Sequence, residues 1–141
     1  HLLSDIFNAE INKLNKSIAN STNQKASVQK NAESLVSTIL SDIYEPSMSL
    51  WLVLVGESIT NKKLIELIKN ENTLYEAVLG NQIRIINSKI SEKKSIHLAK
   101  IIRCLIDGYC IELIYAETSS KKYRQFYKVL SRYITELISS S

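Results

Sequence analysis

Glycine and proline are scarce in this sequence, with three glycines and one proline in 141 residues. Both residues interrupt helices and mark the turns between strands, so their scarcity argues against a many-stranded β fold and favours long helices. Long apolar runs are also missing. The longest covers residues 50–55 and is far too short to span a bilayer, and no signal peptide opens the chain. We therefore expect a cytoplasmic helical protein with no membrane contact.

Residues with reactive or metal-binding side chains are also few. Cys104 and Cys110 stand six apart, which places them on different faces of a helix, about 9 Å apart along its axis, so they cannot bridge each other. We interpret them as small buried residues in a reducing compartment. The two histidines, His1 and His97, have no partners at zinc spacing, and neither a phosphate-binding glycine loop nor a nucleophile elbow occurs. We predict no metal, no cofactor and no enzymatic activity.

The net charge of +4 is unevenly distributed, with the positive excess in residues 59–141. A basic half can indicate nucleic-acid binding. Here the positive residues are spread over several predicted helices without a dense cluster, which favours a solvated basic surface. The length and the 45% apolar content are ordinary for one globular domain, so residues 1–141 are predicted to form a single domain.

Apolar residues recur at three- and four-residue spacing through six segments, which predicts six amphipathic helices. The predicted helices span residues 2–19, 27–44, 47–58, 61–89, 91–117 and 121–138. The third segment is short enough to be a buried strand, but its helical neighbours favour a helix. Pro46 is expected to end the second helix, and Ser47, Thr60 and Ser91 are expected to cap the third, fourth and fifth helices.

The fifth predicted helix is apolar around more than one face. Its spacing continues through Asp107 and Gly108, so we predict a glycine inside a continuous helix, where close approach of another helix would explain it. A second apolar face suggests contact with a second subunit, and the alternative is that both faces belong to the core of a monomer. The predicted fold is an all-α, six-helix domain whose last two helices form a four-helix dimer interface with the symmetry mate. The residues expected there are Leu105, Gly108, Tyr109, Tyr123, Phe126, Tyr127, Leu130 and Ile134.

Several short motifs point to a known family. They are L-L-S-D-I-F at 2–7, Trp51 with its apolar run, G-E-S-I-T-N-K-K-L at 56–64, L-I-D-G-Y at 105–109 and I-E-L at 111–113. Together they resemble the regulatory domain of TetR-family transcriptional repressors, nearest to the betaine-synthesis repressor branch. The resemblance spans nearly the whole chain, and L-I-D-G-Y is its sharpest motif.

The resemblance implies a two-domain repressor, in which an N-terminal helix-turn-helix binds operator DNA and a helical domain binds a small effector and dimerises. No helix-turn-helix occurs in this sequence, so the resemblance implies that it precedes His1 and that DNA is contacted only through it. Our hypothesis is the effector-binding and dimerisation domain of such a repressor, acting as a homodimer. The alternative is a ligand-free helical protein–protein interaction module.

A small-molecule site is predicted among aromatic residues on the apolar faces. Trp51, Tyr75 and Tyr109 together would hold a small cation by cation–π contact, and Glu57 would add a negative charge. The alternative is that the three aromatic residues are ordinary core residues with their polar tips at its rim.

Overall fold

The computed structural model describes residues 2–41, 45–115 and 121–141. These ranges form six helices and contain no strand, which confirms the all-α prediction. The helices are α1 (Leu2–Ala19), α2 (Val28–Ser41), α3 (Glu45–Ser58), α4 (Lys62–Ile86), α5 (Glu92–Tyr115) and α6 (Lys121–Ser139). None of these helices has the length and apolar content that crossing a membrane requires. The predicted ends of the second and fifth helices, at residues 42–44 and 116–117, lie outside the described residues.

The start of α3 differs from the prediction. Pro46 lies in the first turn of α3, and Ser47 therefore lies inside the helix instead of capping it. The first turn of a helix accepts proline readily, because backbone N–H groups there have no intrahelical acceptor and proline has no N–H to leave unpaired. The predicted cap of α5 is confirmed, since the Ser91 hydroxyl accepts from the backbone N–H of Lys94 at 3.3 Å.

The cap of α4 is one residue later than predicted. The side chain of Asn61 accepts hydrogen bonds from the backbone N–H groups of Lys63 and Leu64, so Asn61 is the N-cap. Thr60 belongs to the turn that follows α3, where its own N–H donates to the carbonyl of Glu57 at 3.3 Å. The prediction of Thr60 as the cap is therefore wrong, and the reason is local competition between two adjacent cap-forming residues.

Two apolar clusters hold the helices together. The main core joins α1, α2, α4, α5 and α6. Its most deeply buried side chains are Ile18, Leu35, Ile39, Leu79, Ile83, Ile102, Ile134 and Ile138. The second cluster lies between α1, α3 and α4. It consists of buried Leu54 and Leu64 with half-buried Ile11, Leu50, Trp51 and Leu67 against them.

The packing order follows from which residues share these clusters. Ile11 of α1 meets Leu64 near the start of α4, and Thr22, just after α1, accepts a hydrogen bond from Gln82 near the end of α4. The two helices therefore run in the same direction. Helix α4 also packs extensively on α5, and α6 packs mainly on α2.

The backbones of α4 and α5 come close together at Gly80. A β-carbon at this position would lie 3.4 Å from the carbonyl oxygen of Ser95, which is itself buried. A larger side chain would push the two helices apart, so Gly80 sets the spacing between α4 and α5.

Buried amide side chains fasten the loops. The Asn31 carboxamide accepts from the N–H of Asn23 and donates to its carbonyl, both at 2.9 Å, and it donates to the carbonyl of Ala26 at 3.4 Å. These bonds fix the loop between α1 and α2 to the start of α2. All the polar atoms of Asn31 are therefore used within the chain.

Asn87, at the end of α4, fastens the C-terminal end of α6. Its Nδ2 donates to the carbonyls of Ile138 and Ser141, at 2.9 and 3.4 Å, and its Oδ1 accepts from the N–H of Lys89 at 3.3 Å. We expect Asn87→Ala to lower the free energy of unfolding by about 2 kcal/mol, because it leaves a buried carbonyl unpaired. Urea unfolding measures the loss, and faster amide hydrogen exchange at the end of α6 would locate it.

Asn81→Ala is the matched control. Asn81 is exposed on α4, and alanine is the better helix former, so this variant should keep or slightly raise the stability. Equal losses in the two variants would contradict the role given to Asn87.

Candidate functional site

Helix α5 carries apolar residues on two opposite sides. Facing the main core are the buried residues Leu98, Ile102, Ile106 and Tyr109. We name the exposed set on the other side the outer stripe. It consists of Ile101, Cys104, Gly108, Ile111 and Tyr115. These positions recur at three- and four-residue spacing, so they form one continuous strip about 20 Å long. A helix that packs only within its own domain needs a single apolar side, so the outer stripe is a candidate interaction surface.

Gly108 lies at the centre of the outer stripe. A β-carbon there would meet no atom within 4 Å in the described chain, in contrast to Gly80. A glycine inside a helix costs about 1 kcal/mol relative to alanine. Because no contact within the described chain requires Gly108, its lack of a side chain has no explanation in the packing of a single copy.

The structure divides the residues predicted at the dimer interface. Tyr109, Leu130 and Ile134 are buried in the main core, Leu105, Tyr123 and Tyr127 are half-buried, and Gly108 and Phe126 are exposed. The sequence analysis missed most of the apolar residues that are exposed on the two helices. They include Ile101, Cys104, Ile111 and Tyr115 on α5 and Val129 and Tyr133 on α6. For α5 the signal was present, since these residues continue the spacing of Gly108 in both directions.

An aromatic cluster joins α5 to α6. The ring of Tyr109 lies 6.2 Å from the rings of Tyr123 and Phe126 and 6.3 Å from that of Tyr127, measured between centroids. The hydroxyls of Tyr109 and Tyr123 are hydrogen-bonded. Burial, and then this hydrogen bond, raise the pKa of Tyr109 well above its usual range, so its phenol stays neutral. This cluster orients α6 against the end of α5.

A charged cluster links α4 to α5. The Arg103 guanidinium donates from Nε to Glu76 and from an Nη atom to Asp107, each at 2.7 Å. The side chains of Arg103 and Glu76 are only 16% and 19% exposed. Burial raises the pKa of Asp107, and the neighbouring guanidinium opposes that rise. The single Arg103 guanidinium therefore pairs with two carboxylates in a partly buried position.

Some buried polar atoms have no partner in the described chain. The hydroxyl of Tyr75 is one of them, although Tyr75 lies in the main core. Burial, and then the nearby charge of Asp107, raise the pKa of Tyr75 well above its usual range. On α1, Oδ1 of Asn8 and both polar atoms of the Asn15 side chain are also buried without a hydrogen bond. Such groups are rare in native proteins because each one forfeits its hydrogen bonds to water.

The four predicted ligand residues lie in different places. Tyr75 and Tyr109 are in the main core, whereas Trp51 packs against the second cluster. Glu57 is exposed near the end of α3. The structure thus spreads the four residues over two clusters and the surface, and their joint binding of a cation stays a prediction.

A groove of about 700 Å³ lies between α1 and α2. It is open to solvent, and its lining includes Lys13, Lys16, Ser21 and Ser34. The hydroxyls of these two serines donate to backbone carbonyls, at 2.7 and 3.0 Å. The groove therefore offers a hydrophilic surface on which the Ser21 and Ser34 hydroxyls are already engaged.

Comparison with known proteins gives no match to this chain among protein families, curated proteins or solved structures. The likeness to TetR-family regulators therefore rests on the short motifs given above. In the described ranges, no group of three or more histidine, cysteine, aspartate or glutamate residues is placed to hold a metal ion.

Proposed function

We propose that this chain is the effector-binding and dimerisation domain of a TetR-type transcriptional repressor, which acts on DNA through a helix-turn-helix outside these 141 residues. The observation that supports it best is the outer stripe, which leaves apolar side chains of α5 in water on the side away from the core. Covering such a surface contributes about 25 cal/mol per Å² of apolar area.

The occupant that fits the outer stripe is a second copy of this chain. Positions 101, 104, 108, 111 and 115 are almost symmetric about 108. In an antiparallel pair with Gly108 facing Gly108, Ile101 of one copy lies opposite Tyr115 of the second copy, and the reverse contact follows from the two-fold axis. The glycines then allow the two helices to approach closely, which supplies the reason for Gly108 that a single copy lacks.

The interior supports the effector-binding part of the proposal. Unpartnered polar atoms are a feature of binding sites, where a few such groups fix the orientation of a ligand. The Arg103 bridge joins α4, which carries Tyr75, to α5, which carries the outer stripe. A ligand that binds one arrangement of these helices better than another would therefore change the geometry of the dimer and the spacing of its DNA-binding units.

Thiol labelling tests the dimer. Cys104 is exposed on the outer stripe, and Cys110 is half-buried. Burial and the charge of Asp107 raise the pKa of Cys110 to about 11, so Cys104 is the fast-reacting thiol near pH 8. Because dimerisation covers Cys104, its labelling rate should fall at least several-fold between low and high micromolar protein concentration. The Cys110→Ser variant isolates this signal, and sedimentation velocity measures the mass in the same samples.

The outcome that contradicts the dimer is a persistent monomer. A protein that stays monomeric at hundreds of micromolar, with Cys104 labelled at one rate throughout, would contradict the dimer. It would leave the outer stripe to a different protein, in line with the interaction-module hypothesis. Labelling of the unfolded chain in urea, where both thiols are accessible, gives the reference rate.

A further inference from the structure

Two asparagines of α1 account for three of the four buried side-chain atoms that lack a hydrogen bond in the described chain. They are Asn8 and Asn15, seven residues apart, which places them on the same face of the helix, about 10 Å from each other. Asn15 is only 9% exposed, and neither its oxygen nor its nitrogen has a partner. The face therefore presents unused donors and acceptors toward the protein interior.

This face of α1 adjoins the second cluster. Ile11 stands between the two asparagines and packs into that cluster with Trp51. Among the described side chains, Leu54 and Leu64 are buried there, and Leu50 and Leu67 are half-buried against them. Polar groups next to an apolar cluster are the arrangement expected of a small-molecule site.

The other buried asparagines provide a comparison within the same chain. Asn31 is 6% exposed and Asn87 is 5% exposed, and each makes three hydrogen bonds. Where an amide has a structural role, this fold therefore satisfies it. The unpartnered amide of Asn15 departs from that pattern and indicates a partner from outside the chain.

The chemistry of this partner follows from the surrounding charge. In the described parts of α1, α3 and α4 no charged side chain is fully buried: Glu10, Glu71 and Glu76 are half-buried, with Glu76 paired to Arg103, and Glu57 is exposed. An ion bound here would lie in an apolar sector without a counter-charge, which is strongly unfavourable. A neutral group with both an acceptor and a donor matches the two asparagines, because a carboxamide offers two N–H donors and one oxygen acceptor.

We infer that Asn8 and Asn15 bind the effector, and that this effector is an uncharged amphipathic molecule with an amide or hydroxyl group on an apolar body. The inference rests on the proposed function, and it names the ligand class and the helix face that holds it. The polar group of the ligand bonds Asn15, and its apolar body lies on the second cluster beside Trp51.

The first test uses the protein without ligand. Leucine has nearly the shape of asparagine and no polar atoms, so Asn15→Leu removes an unpaired buried amide and should raise Tm by about 3 °C. Asn31→Leu is the matched control, because it removes three hydrogen bonds at a similarly buried site, and its Tm should fall by about 5 °C or more. A fall in Tm for Asn15→Leu equal to that of the control would overturn the inference.

The second test measures binding. Trp51 is the only tryptophan in the chain, so its fluorescence reports on the second cluster directly. The probes are hexanamide, 1,6-hexanediol, hexanoate and hexyltrimethylammonium. Hexanamide or the diol should change the emission and raise the Tm of the wild-type chain, with affinity at least tenfold weaker in Asn15→Leu, and the two ions should bind far more weakly.

Three results would overturn the inference: no response to either neutral probe, equal affinity in Asn15→Leu, or preferential binding of an ion. Binding of hexyltrimethylammonium alone would remove the neutral ligand class but keep an effector-binding domain. The thiol-labelling experiment tests the dimer separately, so a failure of the proposed function and a failure of this inference are distinguishable.

Discussion

Replacing Ile111 with aspartate is expected to convert dimers of this chain into monomers without unfolding it. Ile111 is 44% exposed and lies on the outer stripe, so the isolated chain should lose no more than about 0.5 kcal/mol of stability. In the dimer, the new carboxylate of each copy would be dehydrated against the outer stripe of the second copy near Cys104, without a counter-charge. This costs about 3 kcal/mol or more, so the dissociation constant should rise roughly 100-fold. Sedimentation equilibrium measures it.

Ile85→Asp is the control for this prediction. Ile85 is 55% exposed on α4, away from the outer stripe, and receives the same chemical change. It should leave the dissociation constant within about threefold of the wild-type value, since a surface change away from the interface alters energies by about 0.5 kcal/mol. If both variants dissociate equally, the outer stripe is not the interface.

Replacing Arg103 with methionine is expected to lower the free energy of unfolding at neutral pH by about 2–3 kcal/mol. The guanidinium is the partner of both Glu76 and Asp107, and its removal leaves two partly buried carboxylates facing each other. We expect a smaller loss of unfolding free energy than for a fully buried ion pair, because Asp107 remains 33% exposed. Urea unfolding at neutral pH provides the measurement.

The loss in this variant should depend on pH. The pKa of Asp107 is already raised by burial in the folded wild-type protein, and Arg103 opposes the rise. Without Arg103 the folded state binds a proton on Asp107 more readily than the unfolded state does, so stability rises as the pH falls through the folded-state pKa. We therefore expect the deficit of Arg103→Met relative to the wild-type chain to shrink as the pH falls below neutral.

Replacing the titrating carboxyl of Asp107 with an amide tests whether Asp107 causes this pH dependence. The double variant Arg103→Met with Asp107→Asn removes the titrating carboxylate, so its deficit should be smaller than that of Arg103→Met at neutral pH and nearly independent of pH. A deficit that stays constant with pH in the single variant would show that Arg103 acts through packing of its aliphatic stem instead of its charge.

The helices themselves were predictable because each apolar face repeats over several turns. In α4, the spacing from Leu64 to Ile86 continues past Gly80, and the structure confirms one unbroken helix there. The ends were harder to predict. Thr60 and Asn61 are both good caps, and only the backbone path decides which side chain reaches the free N–H groups.

The faces of the last two helices were only partly predictable. In α5, apolar residues cover so much of the circumference that periodicity cannot say which arc faces the core. In α6, the apolar stripe was correctly found, but Leu130 and Ile134 are buried against the rest of the same chain. The reason is the contact between α2 and α6, a pairing of helices distant in sequence that no local pattern reveals.

The asparagine face of α1 could not have been found from sequence. Ile11, Leu14 and Ile18 predicted the inward side of this helix correctly, and Asn15 lies at the edge of that side. An asparagine at the edge of an apolar face is usually solvated. Its burial without a partner depends on how the other helices pack against α1, and that is a tertiary property.

The two fixed points between α4 and α5 have a mechanical consequence. The close approach at Gly80 prevents the helices from sliding past each other, and about two helical turns of α5 further on, the Arg103 bridge to Glu76 holds the pair again. Two helices that are held together at two places tilt as one rigid body. A small push on α4 from the side of α1 should therefore swing the distant end of α5, and with it the angle at which two subunits meet.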